Sequence, residues 1–259
     1  MAEKLKTRPL HPTQKVEFKF RLLLWDTHST RPPIDMLEYT AIIDYGRVFQ
    51  DKLVAAKIMH SQCRQSTEEL VKVYEREKKQ HLLGASAVGP PMTYASVYFE
   101  AFLYFITGAF DVLASINHHL MYRDHRKSLT DNYFKNQMET FLKHPNINSD
   151  YAKLLSKNRH WIDDIQENRD GLAHKGSVFL GFEKSRVVVE KRHARDDKEL
   201  SRKRQFRDLL QYLDTTLENL YKFLDDYVAV HRKRVPFSDH AKMELDMLDK
   251  GLIFSGTLE

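Results

Sequence analysis

Hydrophobic residues recur at three- and four-residue spacing through most of this chain, and only in two places does the pattern turn to that of β-strands. Near the start, Val16, Phe18, Phe20 and Leu22 alternate with Glu17, Lys19 and Arg21, which predicts one half-buried strand in an N-terminal arm. Arg31-Pro32-Pro33 stops that arm, and Pro33 suits the first position of a helix, where no amide hydrogen is needed. From Ile34 to about Leu83 there is no proline, and Leu37, Ala41, Val48, Leu53, Ile58, Leu70, Val73 and Tyr74 keep helical spacing. Gly46 and the polar run from Ser61 to Thr67 are points of division, so the pattern predicts two helices or one long bent one.

The segment Gly84 to Met92, GASAVGPPM, holds two glycines and two prolines and predicts a loop. Tyr94 to about Tyr122 is apolar on most faces, as a helix enclosed by others must be. Glu100, Asp111 and the pair His118–His119 interrupt it. The uncharged run Ala101 to Phe110 is half the roughly 20 residues a membrane span requires, so a buried central helix is expected rather than a span. Helices follow at Leu129 to Lys143, ended by Pro145, and from Ser149, a good N-cap, to about Leu172. Val178 to Phe182 and Arg186 to Glu190 flank a polar turn and predict a β-hairpin, which needs the helices, or the N-terminal strand, to pack upon. A last long helix is expected from Asp196 to His231, then a tail with one helical turn around Met243. The expected fold is mainly all-α: an arm over residues 1–33, a helical domain over 34–232 containing the hairpin 178–190, and a tail over 233–259.

Composition narrows the chemistry. Hydrophobic residues at 42% and charged ones at 30% describe an ordinary globular protein and exclude collagen-like and disordered classes. Cys63, the single cysteine, excludes intrachain disulfides and multi-thiolate metal centres. The first twelve residues carry charge without an apolar stretch behind them, so no secretory signal is expected and the cytoplasm is the expected compartment. Thirteen histidines occur without HExxH or comparable ligand spacing, and GxGxxG, GxxxxGK[ST] and GxSxG are all missing. Between Lys184 and Arg207, ten cationic side chains stand against four anionic ones, a surplus of six that exceeds the +5 of the whole chain. Such a stretch draws polyanions by releasing their counterions, or else is a solvated face.

The segment Glu167 to Gly176, ENRDGLAHKG, carries the sharpest signal. On a 3.6-residue helix Arg169 falls within about 40° of Tyr151, Leu155, Ile162 and Ile165, on the apolar stripe. A guanidinium there has to be paired or to open onto a cleft where it meets an anion. His174 would lie about 140° away on an unbroken helix, so the two converge only if the helix loosens, and Gly171 is where that is expected. Glu100, Thr107, Asp111 and His118 form a second, polar line on the central helix, which faces either a cleft or solvent.

Arg169-Asp170-x-x-x-His174 resembles the arginine, polar residue and histidine that mark the HEPN superfamily, all-helical proteins many of which are metal-independent ribonucleases. The aromatic-rich helix bearing Tyr98-Phe-Glu-Ala101 and Phe110-Asp111 is similar to early helices of prokaryotic members. The resemblance covers roughly residues 36 to 230; the hairpin and the N-terminal strand depart from the minimal core, and no tyrosine stands two residues beyond His174.

What it implies is an endoribonuclease without metal or cofactor, of the kind found in toxin–antitoxin or antiviral defence. His174 would be general acid or base, Arg169 would hold the phosphate, and Asp170 would orient one of them. Asn168, Glu100 and Asp111 would support the cleft, and Lys175, Lys191, Arg192, Arg195, Arg202, Lys203 and Arg204 would contact RNA. A two-fold homodimer with a composite cleft is implied, together with an antitoxin or regulatory partner and no membrane. The alternatives are a non-catalytic helical module that binds nucleic acid, nucleotide or a protein, and a helical scaffold with no nucleic-acid role.

Overall fold

The structure, a computed structural model, describes residues 10–30, 36–79, 85–120, 133–175, 180–190, 206–234 and 237–251. Helices α1 (Pro12–Thr30), α2 (Met36–Lys79), α3 (Ala85–Leu120), α4 (Phe134–Lys143) and α5 (Ser149–Lys175) come first. Strands β1 (Leu180–Glu183), β2 (Arg186–Glu190) and β3 (Phe206–Asp208) form an antiparallel sheet in that order, and helices α6 (Leu209–Arg234) and α7 (Asp239–Asp249) close the chain. The mainly helical class expected from the sequence is observed. Two compact units are built from these elements: residues 1–47, 112–157 and 220–259 form one, and residues 48–111 and 158–219 the other.

In the first unit the expected N-terminal strand is a helix. Phe20 and Leu22 belong to the alternating pattern, but Leu23 and Leu24 break it, and all four are buried within helix α1. Residues that the strand reading put on a wet face have helical partners: Tyr221 donates to Glu17 Oε1 at 2.5 Å, and Lys19 pairs with Asp225 at 2.9 Å. Asp26 accepts from the backbone nitrogen of Ser238 at 2.8 Å and from its hydroxyl, which ties α1 to the start of α7. Gly46 does not divide α2. A Cβ there would stand 2.6 Å from Leu24 Cδ1, so the missing side chain is what lets α1 lie close against α2.

The core of this unit is partly polar. Asn117 of α3 donates to Tyr151 of α5 at 2.8 Å and accepts from Tyr227 of α6 at 2.6 Å, and Gln137 of α4 donates to the Ala114 carbonyl at 2.7 Å. Four helices are thereby fixed in register by satisfied buried groups. Phe141 and Tyr151 pack edge to face at 4.8 Å within it. The tail holds an eleven-residue helix, α7, where a single turn was expected.

In the second unit α2 runs unbroken through Ser61 to Thr67, because Ser66 and Thr67 are buried and Arg64 finds an acidic partner on α6. The expected loop Gly84 to Met92 is helical from Ala85 on: Pro90 and Pro91 delete two amide donors near the start of a 36-residue helix and leave the ladder beyond them intact. Among the described residues α3 alone, over Gly89–Leu120, is long and apolar enough to cross a membrane, and 56% of its most apolar window is buried.

The hairpin forms in the expected place, with Leu180 opposite Val189 and Glu183 opposite Arg186. Its third strand was not expected; Phe206–Asp208, read as part of the last helix, pairs with the free edge of β2. The arm and the hairpin therefore do not form a joint sheet. Phe182 stacks on Tyr74 of α2 at 3.9 Å and 12°, and Val187, Val188 and Val189 are all buried, as in a strand covered on both faces.

Candidate active site

The second half of α5 lies in the second unit. Ile162 and Ile165 of the apolar stripe are essentially fully buried, and Arg169, one turn after Ile165, is half-buried. One turn before Arg169 stands a dense polar cluster. Arg207, from β3, grips the Asp164 carboxylate with both terminal nitrogens, Nη2 to Oδ1 at 2.6 Å and Nη1 to Oδ2. Asn168 Nδ2 donates to the Asp164 carbonyl at 2.8 Å and reaches the Tyr212 hydroxyl at 3.1 Å. The Arg207 guanidinium also lies over the Tyr212 ring at 5.3 Å, and Phe99 packs edge-on against the same ring. Hydrogen bonding to Asp164 holds the Arg207 guanidinium more firmly protonated, while burial, helped by the Asp164 charge, pushes the Tyr212 phenol up. This cluster locks α5 to β3 and α6.

Arg169 is held differently. Its single polar neighbour among the described residues is Asp170, whose Oδ1 lies 3.3 Å from Nε, and that Nε is buried without a hydrogen bond. Adjacent residues on a helix point about 100° apart, so the contact is oblique. Gln166, one turn earlier on the same face, is buried with its Oε1 equally unsatisfied. Arg169 and Gln166 thus place two buried polar atoms without hydrogen-bond partners among the described residues a turn apart on α5.

The helix does not loosen at Gly171. It continues to Lys175, with Gly171 and Leu172 buried, so the expected convergence of Arg169 and His174 within one chain by a break at Gly171 does not occur. An unbroken helix puts the His174 Cα roughly 7.5 Å along the axis and about 140° around from that of Arg169. The side chains of His174 and Lys175 lie outside the described residues, as do Lys191, Arg192, Arg195, Arg202, Lys203 and Arg204. Of the basic stretch, Lys184, Arg186 and Arg207 are described, and Arg207 is neutralised by Asp164.

Glu100 and Asp111 are half-buried on α3 and neither is bonded to Arg169. Thr107, between them, is buried and its hydroxyl donates back to the Leu103 carbonyl of its own helix at 2.9 Å. Asn168 belongs to the Asp164–Tyr212 cluster rather than to Arg169.

A second acid–base cluster in this unit has no clear motif in the sequence. Arg64 Nη2 reaches both Asp214 oxygens at 2.6 and 2.5 Å, and His60 Nε2 bonds Asp214 Oδ1 at 2.8 Å. Burial works to raise the Asp214 carboxyl, but the hydrogen bonds from Arg64 and His60 outweigh it and hold it below the usual range. Cys63, one turn from His60, is no nucleophile: it is fully buried, its thiol donates to the Ala95 carbonyl, and burial pushes it up to about 12.

Comparison with known proteins returns no match, whether to a family model, a curated protein or a solved structure.

Proposed function

We propose that this chain is a metal-independent endoribonuclease of HEPN type, acting as a toxin or antiviral effector in the cytoplasm. The observation that carries this reading is Arg169: a half-buried guanidinium, on the apolar side of its helix, whose Nε has no hydrogen-bond acceptor and whose one ion-pair partner is an obliquely placed carboxylate, among the described residues. A phosphodiester supplies the missing acceptors in planar, charge-assisted form. The Asp164–Arg207–Asn168–Tyr212 cluster one turn away supports the reading because a catalytic group needs a rigid support.

In this mechanism the 2′-hydroxyl of RNA attacks the adjacent phosphorus and the 5′-oxygen of the next nucleotide leaves, giving a 2′,3′-cyclic phosphate and a free 5′-hydroxyl. His174 transfers a proton at the attacking or leaving oxygen, Arg169 balances the charge that grows on the non-bridging oxygens, and Asp170 orients Arg169. The splay of about 140° along an unbroken helix is met by a two-fold homodimer in which Arg169 and His174 of two subunits share one cleft. Lys175 and the basic residues Lys191 to Arg204 hold the RNA, and a regulatory partner keeps the activity in check.

The test is cleavage of total RNA by the purified chain in EDTA. Cleavage that disappears in both Arg169→Ala and His174→Ala supports the reading; cleavage that survives both, or none from a folded dimer, overturns it and leaves a binding module.

A further inference from the structure

A pocket of about 420 Å3 lies between α2 and the sheet, and no residue of the Arg169 segment lines it. Its α2 wall is Thr67, Glu68, Val71 and Lys72; Ser185, Arg186 and Val187 of the hairpin face them, with Asp208 and Leu210 at one end. This size is in the range of small-molecule sites, and the stack of Phe182 on Tyr74 fixes the hairpin to α2 beside it.

The lining holds two cations and two carboxylates, and no ion pair joins them among the described residues. Asp208 Oδ1 accepts from the Gln211 backbone nitrogen at 2.9 Å as the N-cap of α6. Lys72 and Arg186 make no ion pair among the described residues, although both face the same pocket. Lys72 on α2 and Arg186 on the hairpin can therefore take an anionic group while Glu68 and Asp208 take donors, beside the apolar lining of Val71, Val187 and Leu210.

The hairpin turn adds an independent observation. Lys184 and Ser185 both adopt positive φ, 47° and 65°, in a two-residue turn that favours Asn-Gly. Left-handed backbone is unfavourable for a non-glycine residue, and glycine at 185 would relieve it. What glycine would remove is the hydroxyl of Ser185, a residue that lines the pocket next to Arg186 in the chain.

We propose that this pocket binds a small phosphate monoester, with Arg186, Lys72 and the Ser185 hydroxyl on the phosphate and Val71, Val187 and Leu210 against the body of the molecule. The Glu68 carboxylate and the second oxygen of Asp208 then accept from hydroxyl or amino groups at its far end. A nucleoside monophosphate and a sugar phosphate share this chemistry. The site uses no residue of the Arg169 segment and stands whether or not the chain cleaves RNA.

The experiment is isothermal titration of the full chain with AMP, ribose 5-phosphate, adenosine and inorganic phosphate, each repeated on Ser185→Gly, Arg186→Glu and Arg169→Met. The monoesters are expected to bind, adenosine not to, and inorganic phosphate to bind more weakly than either monoester. AMP tighter than ribose 5-phosphate identifies a nucleotide as the source; equal affinities identify the sugar phosphate.

Ser185→Gly is expected to raise the melting temperature and weaken monoester binding about tenfold or more, a hydrogen bond to a charged group being lost. Arg186→Glu should abolish binding, and Arg169→Met should leave it unchanged. A better-folded protein that binds less is an outcome that damage to the fold does not produce. No monoester binding at millimolar concentration, or affinity unaltered in both Ser185→Gly and Arg186→Glu, overturns the proposal.

Discussion

Asp164 and Arg207, forty-three residues apart in the chain, meet in a two-pronged ion pair that fixes strand β3 to the helix carrying Arg169. The Asp164 side chain is 10% exposed, so removing Arg207 leaves a carboxylate in poor contact with water. Arg207→Ala is expected to cost about 3 kcal/mol, and a double-mutant cycle with Asp164→Ala to return a coupling of about 1–3 kcal/mol in urea denaturation. Arg207→Lys should recover less than half, since an ammonium neither forks onto a carboxylate nor stacks on Tyr212. A coupling near zero would mean that the pair does not hold the two elements together.

The orphaned atoms on α5 predict a separation of stability from function. Gln166→Met removes an unsatisfied buried oxygen at nearly constant volume and is expected to stabilise the fold by about 1 kcal/mol. Arg169→Met is expected to leave the melting temperature unchanged or higher while RNA cleavage falls by about 10² or more. A melting temperature that drops by several degrees in Arg169→Met would show a structural arginine instead.

Cys63 gives the chain an alkaline liability. Its thiol is held protonated in the fold to about pH 12 but ionises near 9.0 once unfolded. The unfolded state therefore releases a proton that the folded state keeps, and stability present below pH 9 is lost progressively as pH rises toward 12, by up to about 1.4 kcal/mol per pH unit for one group. Tyr151 and Tyr212, whose phenols burial pushes up, add to the same loss at higher pH. Chemical denaturation between pH 8 and 11 should show this slope, and Cys63→Ala should flatten its lower part. The native thiol should also resist alkylation at pH 8.

Arg202, Lys203 and Arg204 supply the counterion-release part of RNA binding in the proposed function. Replacing all three by Ala is expected to weaken RNA binding and reduce the slope of log affinity against log salt by roughly 2 to 3, with turnover at saturating RNA little changed. An unaltered salt slope would remove this segment from the RNA surface.

Much of the helical framework is legible because a helix is written locally. Ile162, Ile165 and Arg169 fall on one stripe by arithmetic, and the structure buries the two isoleucines and half-buries the arginine. The same local reading fails for Val16 to Leu22, where four alternating apolar residues have the spacing of a strand but the following Leu23 and Leu24 break the alternation and the whole segment is helical. It fails again at Gly46 and Gly84 to Met92, because glycine and proline punctuate a chain only when nothing nearby needs them. Gly46 is required by the approach of Leu24, and the two prolines fall near a helix start.

By itself the sequence determined the helical class, the position of the hairpin and the placement of Arg169 on an apolar face, since each follows from the spacing of neighbouring residues along one element. Tertiary structure alone decided which charges are neutralised. Nothing in the run of ten cations distinguishes Arg207 from Arg186, yet one is clasped by Asp164 and the other faces a pocket without an ion pair among the described residues. Strand β3 belongs to the same class of fact: Phe206–Asp208 is too short to carry a pattern and becomes a strand because the edge of β2 offers its backbone hydrogen bonds. Pairing of charges and of strand edges is settled between residues distant in the chain, and local spacing holds no record of it.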